Sequence, residues 1–255
     1  MSKLIERNPW SELQRFTPAR IALGRAGNGL PTVEVLRFGL AHAQARDAVH
    51  LPFSPSAIEA ALVHLGMQTV AVHSAAADRV DYLRRPDLGR RLDEASSARL
   101  RAFRAESGPD LVLVVADGLS ALAAHRHSAP VLTRIVPALR ARNWRLAPIV
   151  IAEQSRVALG DVIGEALAAR IVAVLIGERP GLSSPDSIGI YLTYAPKVGR
   201  LDSERNCISN IRPEGLGYDA AARKFLYLLE EAMRLRLTGV GLKDDSDVPS
   251  ITRAD

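Results

Sequence analysis

The chain has 255 residues and 47% apolar content, and its 33 basic against 28 acidic side chains give a formal charge of +5. That length holds one large domain or two modest ones around a packed core, while its longest apolar runs, such as 111–116 and 171–176, fall far short of the roughly 20 residues that a bilayer crossing needs. A single cysteine, Cys207, excludes an internal disulfide framework and any multi-cysteine zinc site.

At the start, Lys3, Glu6 and Arg7 surround a brief Leu4 and Ile5 pair, so no secretory apolar region can be drawn and a cytoplasmic protein is expected. The basic excess is almost all arginine, and it is interleaved with carboxylates, as at Arg79 and Asp81 or at Arg90, Arg91, Asp93 and Glu94. Such mixing, without aromatic residues between the cations, points to neither nucleic acid nor a membrane as partner.

In chain order, the glycine-rich stretch 20–31 reads as a loop. From Thr32 to about Met67 the apolar spacing is helical. Val35, Leu36, Phe38 and Leu40 lead one segment; Ile58, Ala61, Leu62 and Leu65 lead a second. A third helical pattern runs from about Leu88 to Ala105, with Leu92, Ala95, Leu100 and Phe103 apolar. Residues 1–107 are thus expected to form an all-helical N-terminal region.

After Ser107, Gly108 and Pro109 short apolar runs alternate with helical segments, as a mainly parallel sheet is written. Strands are expected at 111–115, 149–152, 171–176 and 188–193, with helical periodicity at 120–124, 131–142 and 157–169. Tyr218, Ala222, Phe225, Leu229 and Ala232 mark the buried stripe of a long helix that Gly239 is expected to end. The tail from Lys243 has no apolar period and should be disordered. Residues 108–255 therefore read as a doubly wound α/β domain with a C-terminal helix and a short tail.

Ligands of such sheets bind beyond the carboxyl ends of the strands. The loops there are 116–120, 153–157, 177–186 and the stretch after Tyr194 that includes 205–210. Asp117 suits acid/base work or, more commonly, a helix cap. Glu178 suits a surface ion pair with Arg179 or a carboxylate that accepts hydrogen bonds from a ligand. By residue type Cys207 reads as a buried, inert thiol. His125 and His127 lack the acidic or cysteine neighbours of a zinc site, and His42 and His50 suit surface hydrogen bonding. There is no G-x-x-x-x-G-K-[ST] loop and no H-E-x-x-H, so no self-contained catalytic set is visible.

The loops themselves carry a resemblance. TPARIALGRAG at 17–27, YLRRPDLGRRL at 82–92, VADGLSA at 115–121, RVALGD at 156–161, LIGERPGLSSPDS at 175–187 and ERNCISNIRPEGL at 204–216 resemble the hallmark segments of the small subunit of adenosylcobalamin-dependent ethanolamine ammonia-lyase. The resemblance implies a helical N-terminal part and a Rossmann-like C-terminal part. It implies a corrinoid between this chain and a larger barrel subunit that binds ethanolamine. The implied reaction is cobalt–carbon homolysis, hydrogen abstraction by the 5′-deoxyadenosyl radical and loss of the amino group, giving acetaldehyde and ammonia.

By matching motif, the family's cofactor contacts fall on Val157, Glu178 and Cys207. Gly177 and Asn206 are added here, the first for close approach of the ring and the second for pairing with its amides. The chain has no Asp-x-His-x-x-Gly segment, so the cofactor's own base is expected to stay on cobalt. Some members carry a longer N-terminal extension for microcompartments; with the matching block starting by Phe16, a freely cytoplasmic enzyme is expected. The rival reading is a nucleotide or nucleic-acid binder built on the same frame.

Overall fold

The computed structural model describes residues 5–246. Its strands are β1 (Thr69–His73), β2 (Leu111–Ala116), β3 (Ile149–Glu153), β4 (Ile171–Gly177), β5 (Ile188–Tyr194) and β6 (Asn206–Ile211). They form one six-stranded sheet in the order β1-β3-β2-β4-β5-β6. The first four neighbours run parallel, so that Val115 has Ile151 on one side and Leu175 on the other. The last two strands are antiparallel, with Tyr191 between Val174 and Cys207.

The helices are α1 (Thr32–His50), α2 (Pro55–Leu62), α3 (Arg79–Arg84), α4 (Glu94–Arg101), α5 (Ala121–Ala141), α6 (Leu159–Ala166) and α7 (Tyr218–Leu235). Alternation along the strands divides the core. Leu111, Leu113, Val115 and Ile151 face α2, α5 and α7, whereas Val112, Val114, Ala116 and Val150 face α4 and α6. Burial on both faces explains why β2 and β4 read as unbroken apolar runs. Among the described residues, no helix is long and apolar enough to cross a membrane.

The mixed α/β class agrees with the sequence, and four elements differ from it. The first 107 residues are not all-helical, because β1 lies among them and pairs with β3. The segment at 206–211, read as loop, is the edge strand β6. The two helical stretches at 120–124 and 131–142 are one helix, α5, which runs through Pro130 and Pro137. Each proline removes one helical hydrogen bond, but buried Ala123, Val131, Ile135 and Leu139 hold the helix to the sheet on both sides of the breaks. Helix α7 ends before Gly239, with Arg236 capping it at φ 57°. The expected disorder of the tail falls largely outside the described residues.

Candidate functional site

The chain leaves β2 through α5 toward β3, on one flank, while β4 lies on the other flank and leaves toward β5. Connections that depart in opposite directions part the loops at the strand tips, and a crevice opens there. A cleft of about 450 Å³ fills this position, and Val157, Gly177 and Glu178 line it together with Tyr82, Arg156 and Tyr191. Three of the five sequence-selected residues thus share one cleft.

Asp117 forms the cleft's foundation. It is 1% exposed and accepts from the backbone N–H groups of Gly118, Ser155 and Gln154 at 2.9, 3.0 and 3.1 Å and from Arg79 Nη1 at 3.1 Å. Burial pushes its pKa up to about 6, against those donors. The cap of α5 is instead Ser120, which accepts from Ala123 N–H. Asp117 therefore joins the loops after β2 and β3, and helix capping, the commoner role for its type, is not what it does.

The wall opposite Glu178's loop is built on Tyr82. Its hydroxyl donates to Ser155 O at 3.0 Å, and the guanidinium carbons of Arg156 and Arg79 lie 4.2 and 4.7 Å from its ring centroid. Burial first, and then the Asp117 carboxylate, hold the phenol's pKa far above the usual tyrosine range, so it stays neutral. Arg156 donates through Nη2 to Tyr82 O at 2.9 Å, and its Nε is buried without a partner. Arg79 Nη2 is likewise buried and unpaired. Sequence reasoning missed Tyr82, Arg79 and Arg156: the first two come from a distant segment, and Arg156 stands beside Val157 with nothing in its residue type to distinguish it from the chain's many arginines.

Glu178 begins the loop after β4. Its Oε2 accepts from the Ser187 hydroxyl at 2.5 Å, and its carboxylate also receives Asn210 N–H at 3.1 to 3.2 Å. Among the described residues no ion pair joins it to Arg179. Gly177 is required by the chain itself: a Cβ there would sit 2.1 Å from Ser120 O and 2.5 Å from Asp117 O. Its bareness lets β4 pass the β2–α5 loop, which is a different reason from close approach of a ring.

The other two selected residues do not line the cleft. Cys207 lies on β6 opposite Tyr191, which does line it. Cys207 is exposed, contrary to the expectation of a buried thiol. Asn206 points the other way along the strand's alternation, donating to Leu242 O at 2.9 Å and accepting Gly239 N–H at 2.8 Å. It pins the turn after α7.

Among the described residues no histidine lines the cleft, and no histidine, cysteine and carboxylate cluster could hold a metal ion. His125 accepts from Ser54 N–H, and His127 pairs with the Tyr218 hydroxyl. What remains is an acceptor carboxylate, the guanidinium groups of Arg156 and Arg179 and apolar side chains (Leu119, Val157, Ile176) around the cleft. Fold and site together define an α/β protein with a partly apolar cleft at the parting of its strand-tip loops.

Residues 7–243 match the family described as ethanolamine ammonia-lyase light chain. The chain is 60% identical over 248 residues to the ethanolamine ammonia-lyase small subunit of Ralstonia nicotianae, covering 96% of this chain and 92% of that one. It is 58% identical to the Azotobacter vinelandii small subunit (97% and 92% covered) and 57% identical to that of Pseudomonas syringae (97% and 87%). The chain belongs to the ethanolamine ammonia-lyase light-chain family.

Proposed function

We propose that this chain is the small subunit of an adenosylcobalamin-dependent ethanolamine ammonia-lyase of the cytoplasm. It holds one side of the cofactor in the crevice between β2 and β4, and a larger subunit covers the other side and binds ethanolamine. The observation that carries the reading is the meeting of Val157, Gly177 and Glu178 in one cleft, with Cys207 on a neighbouring strand paired to a cleft residue.

The residues fit a large ring edged with amides. Glu178 accepts from amide N–H groups, while the guanidinium of Arg156, which lines the cleft, suits an amide carbonyl or a phosphate. Val157 and Ile176 offer the apolar surface on which a flat ring rests. When bound, adenosylcobalamin supplies the radical that starts the conversion of ethanolamine to acetaldehyde and ammonia. This chain's residues position it and exclude water from one side. No proton transfer is assigned to them: Asp117 is buried beneath the cleft, its carboxylate held by backbone donors of Gln154 and Ser155.

The test is acetaldehyde release from ethanolamine with each subunit alone and with the mixture, adenosylcobalamin present throughout, with the visible spectrum of the mixture recorded on adding cofactor. Turnover and a cofactor-dependent spectral change are expected only in the mixture. Turnover by this chain alone, or a mixture indifferent to the cofactor, would overturn the proposal.

A further inference from the structure

Helix α1 is built inside out. Of its 19 residues only Ala41 and Ala48 are buried, while Val33, Val35, Leu36, Phe38 and Leu40 are between 46% and 68% exposed. A surface helix ordinarily turns its large apolar side chains to the core and its polar ones to water. Here alanines face the body, and Val33, Leu36 and Leu40, three and four residues apart, form an outward stripe. The neighbouring arm continues it. Trp10 and Phe16 of the 3-10 turn Pro9–Phe16 are 68% and 72% exposed, and a groove of about 440 Å³ separates this turn from the start of α1. Large apolar side chains grouped on the outside of a helix mark a surface that another body covers.

The position of this face says what covers it. Arg20 lies over the Phe38 ring at 5.8 Å and donates to Leu182 O at 3.2 Å, in the loop that Glu178 begins. Near the C-terminal end of α1, Arg79 donates to Val49 O at 2.8 Å while also holding Asp117 and stacking on Tyr82. The helix is thereby tied, at Phe38 and near its C-terminal end, to segments that adjoin the cleft. A body that closes the cleft's open side is brought against α1 as well, which a second copy of this chain docked elsewhere would not be.

We propose that the outward apolar face of α1, with the groove beside it, is the seat of the larger lyase subunit. The inference rests on the reading that such a subunit closes the cleft. Its occupant is therefore one continuous surface, apolar where it meets Leu36 and Leu40, that spans from the cleft mouth to the N-terminal arm.

The experiment uses the full-length chain and the larger subunit. Leu36→Glu/Leu40→Glu keeps good helix formers at two exposed positions, and Leu36→Ala/Leu40→Ala is a milder second variant. Association is measured by sedimentation, and each chain's helicity and thermal midpoint are measured alone. The expected result is binding weakened about a hundredfold or more by the glutamates and about tenfold by the alanines, with helicity kept. Unchanged binding of both variants overturns the assignment of this face and leaves the proposed function standing. An isolated chain that is a dimer, and that the substitutions convert to monomer without loss of the larger subunit, overturns it in favour of a second copy. Failure of the unaltered chain to bind the larger subunit overturns the proposed function and the seat with it.

Discussion

Arg205 grips Asp161 with both terminal nitrogens, at 2.6 and 2.8 Å, where each side chain is only 2% exposed. Its other donors reach Thr193 Oγ1, Arg200 O and Asp202 Oδ1, so the whole guanidinium is satisfied. The pair ties α6, entered just after Val157, to the approach to β6, which carries Cys207. Removing one partner leaves the other as an uncompensated buried charge, which typically costs about 3 to 5 kcal/mol. Arg205→Met should lose that much in urea denaturation, and Asp161→Leu/Arg205→Met should recover most of it. A single substitution costing under about 1 kcal/mol would show that the pair is not needed to hold these elements.

Asp117 gives the fold a pH signature. Its pKa, about 6 in the folded chain because of burial, exceeds the value near 4 of an unfolded aspartate. Between those values the folded chain keeps a proton that the unfolded chain has released, so this carboxyl's contribution to stability falls as pH rises from about 4 to 6 and is level above. The span is worth about 3 kcal/mol. Asp117→Asn abolishes the titration but turns an amide N–H toward donors, so it should be the less stable protein. Its deficit relative to the unaltered chain should narrow as pH rises through that window. A deficit that is constant or widens, in denaturant titrations at acid and neutral pH, contradicts the raised pKa.

Two glycines should respond in opposite ways to alanine. At Gly177 the new Cβ meets backbone oxygens of Ser120 and Asp117, which cannot turn aside as a side chain could. Gly177→Ala should cost at least about 2 kcal/mol, the range of overpacking and strain, and should weaken cofactor binding as the strand tips part. At Gly39, on α1, a Cβ meets nothing within 4 Å, so Gly39→Ala should raise stability by about 0.5 to 1 kcal/mol. Equal effects of the two on the thermal midpoint would mean that the tight passage at Gly177 is not real.

The sheet's centre was legible because β2 and β4 are buried on both faces and leave unbroken apolar runs in the sequence. The edges were not. β1 buries only Val70 and Val72 of its five residues, and β6 only Ile208 and Ile211, so neither shows more than a fragment of a pattern. Helix α1 was legible as a helix, but the side its apolar residues face depends on a covering body that periodicity does not report. In the site, Glu178 and Val157 stood out through their motifs and strand-tip loops. Tyr82 did not, because its role comes from two arginines that the fold brings to its ring from either side of it in the chain.

Glu178 decides between a ligand contact and an internal brace, because the structure gives it both opportunities. Its carboxylate already receives the Ser187 hydroxyl and Asn210 N–H, which fixes the β4–β5 loop to β6, and a carboxylate has about four acceptor positions in all. The remaining ones border the cleft, where hydrogen bonds to a charged acceptor are worth roughly 1.5 to 3 kcal/mol each. Glu178→Ala should therefore weaken adenosylcobalamin binding about 10- to 150-fold and also lower stability, since Ser187 and Asn210 lose their acceptor. Glu178→Gln keeps one carbonyl acceptor for the brace and loses the charge, so it should separate the two roles: most of the stability kept, with affinity still reduced. Ethanolamine KM at saturating cofactor should change little in either variant. Both quantities can be read from spectral titration of the subunit mixture and thermal unfolding of the chain. Loss of stability in the alanine variant with an unchanged dissociation constant in both would make Glu178 a brace only, and the cleft's acceptor would have to be sought elsewhere on its rim.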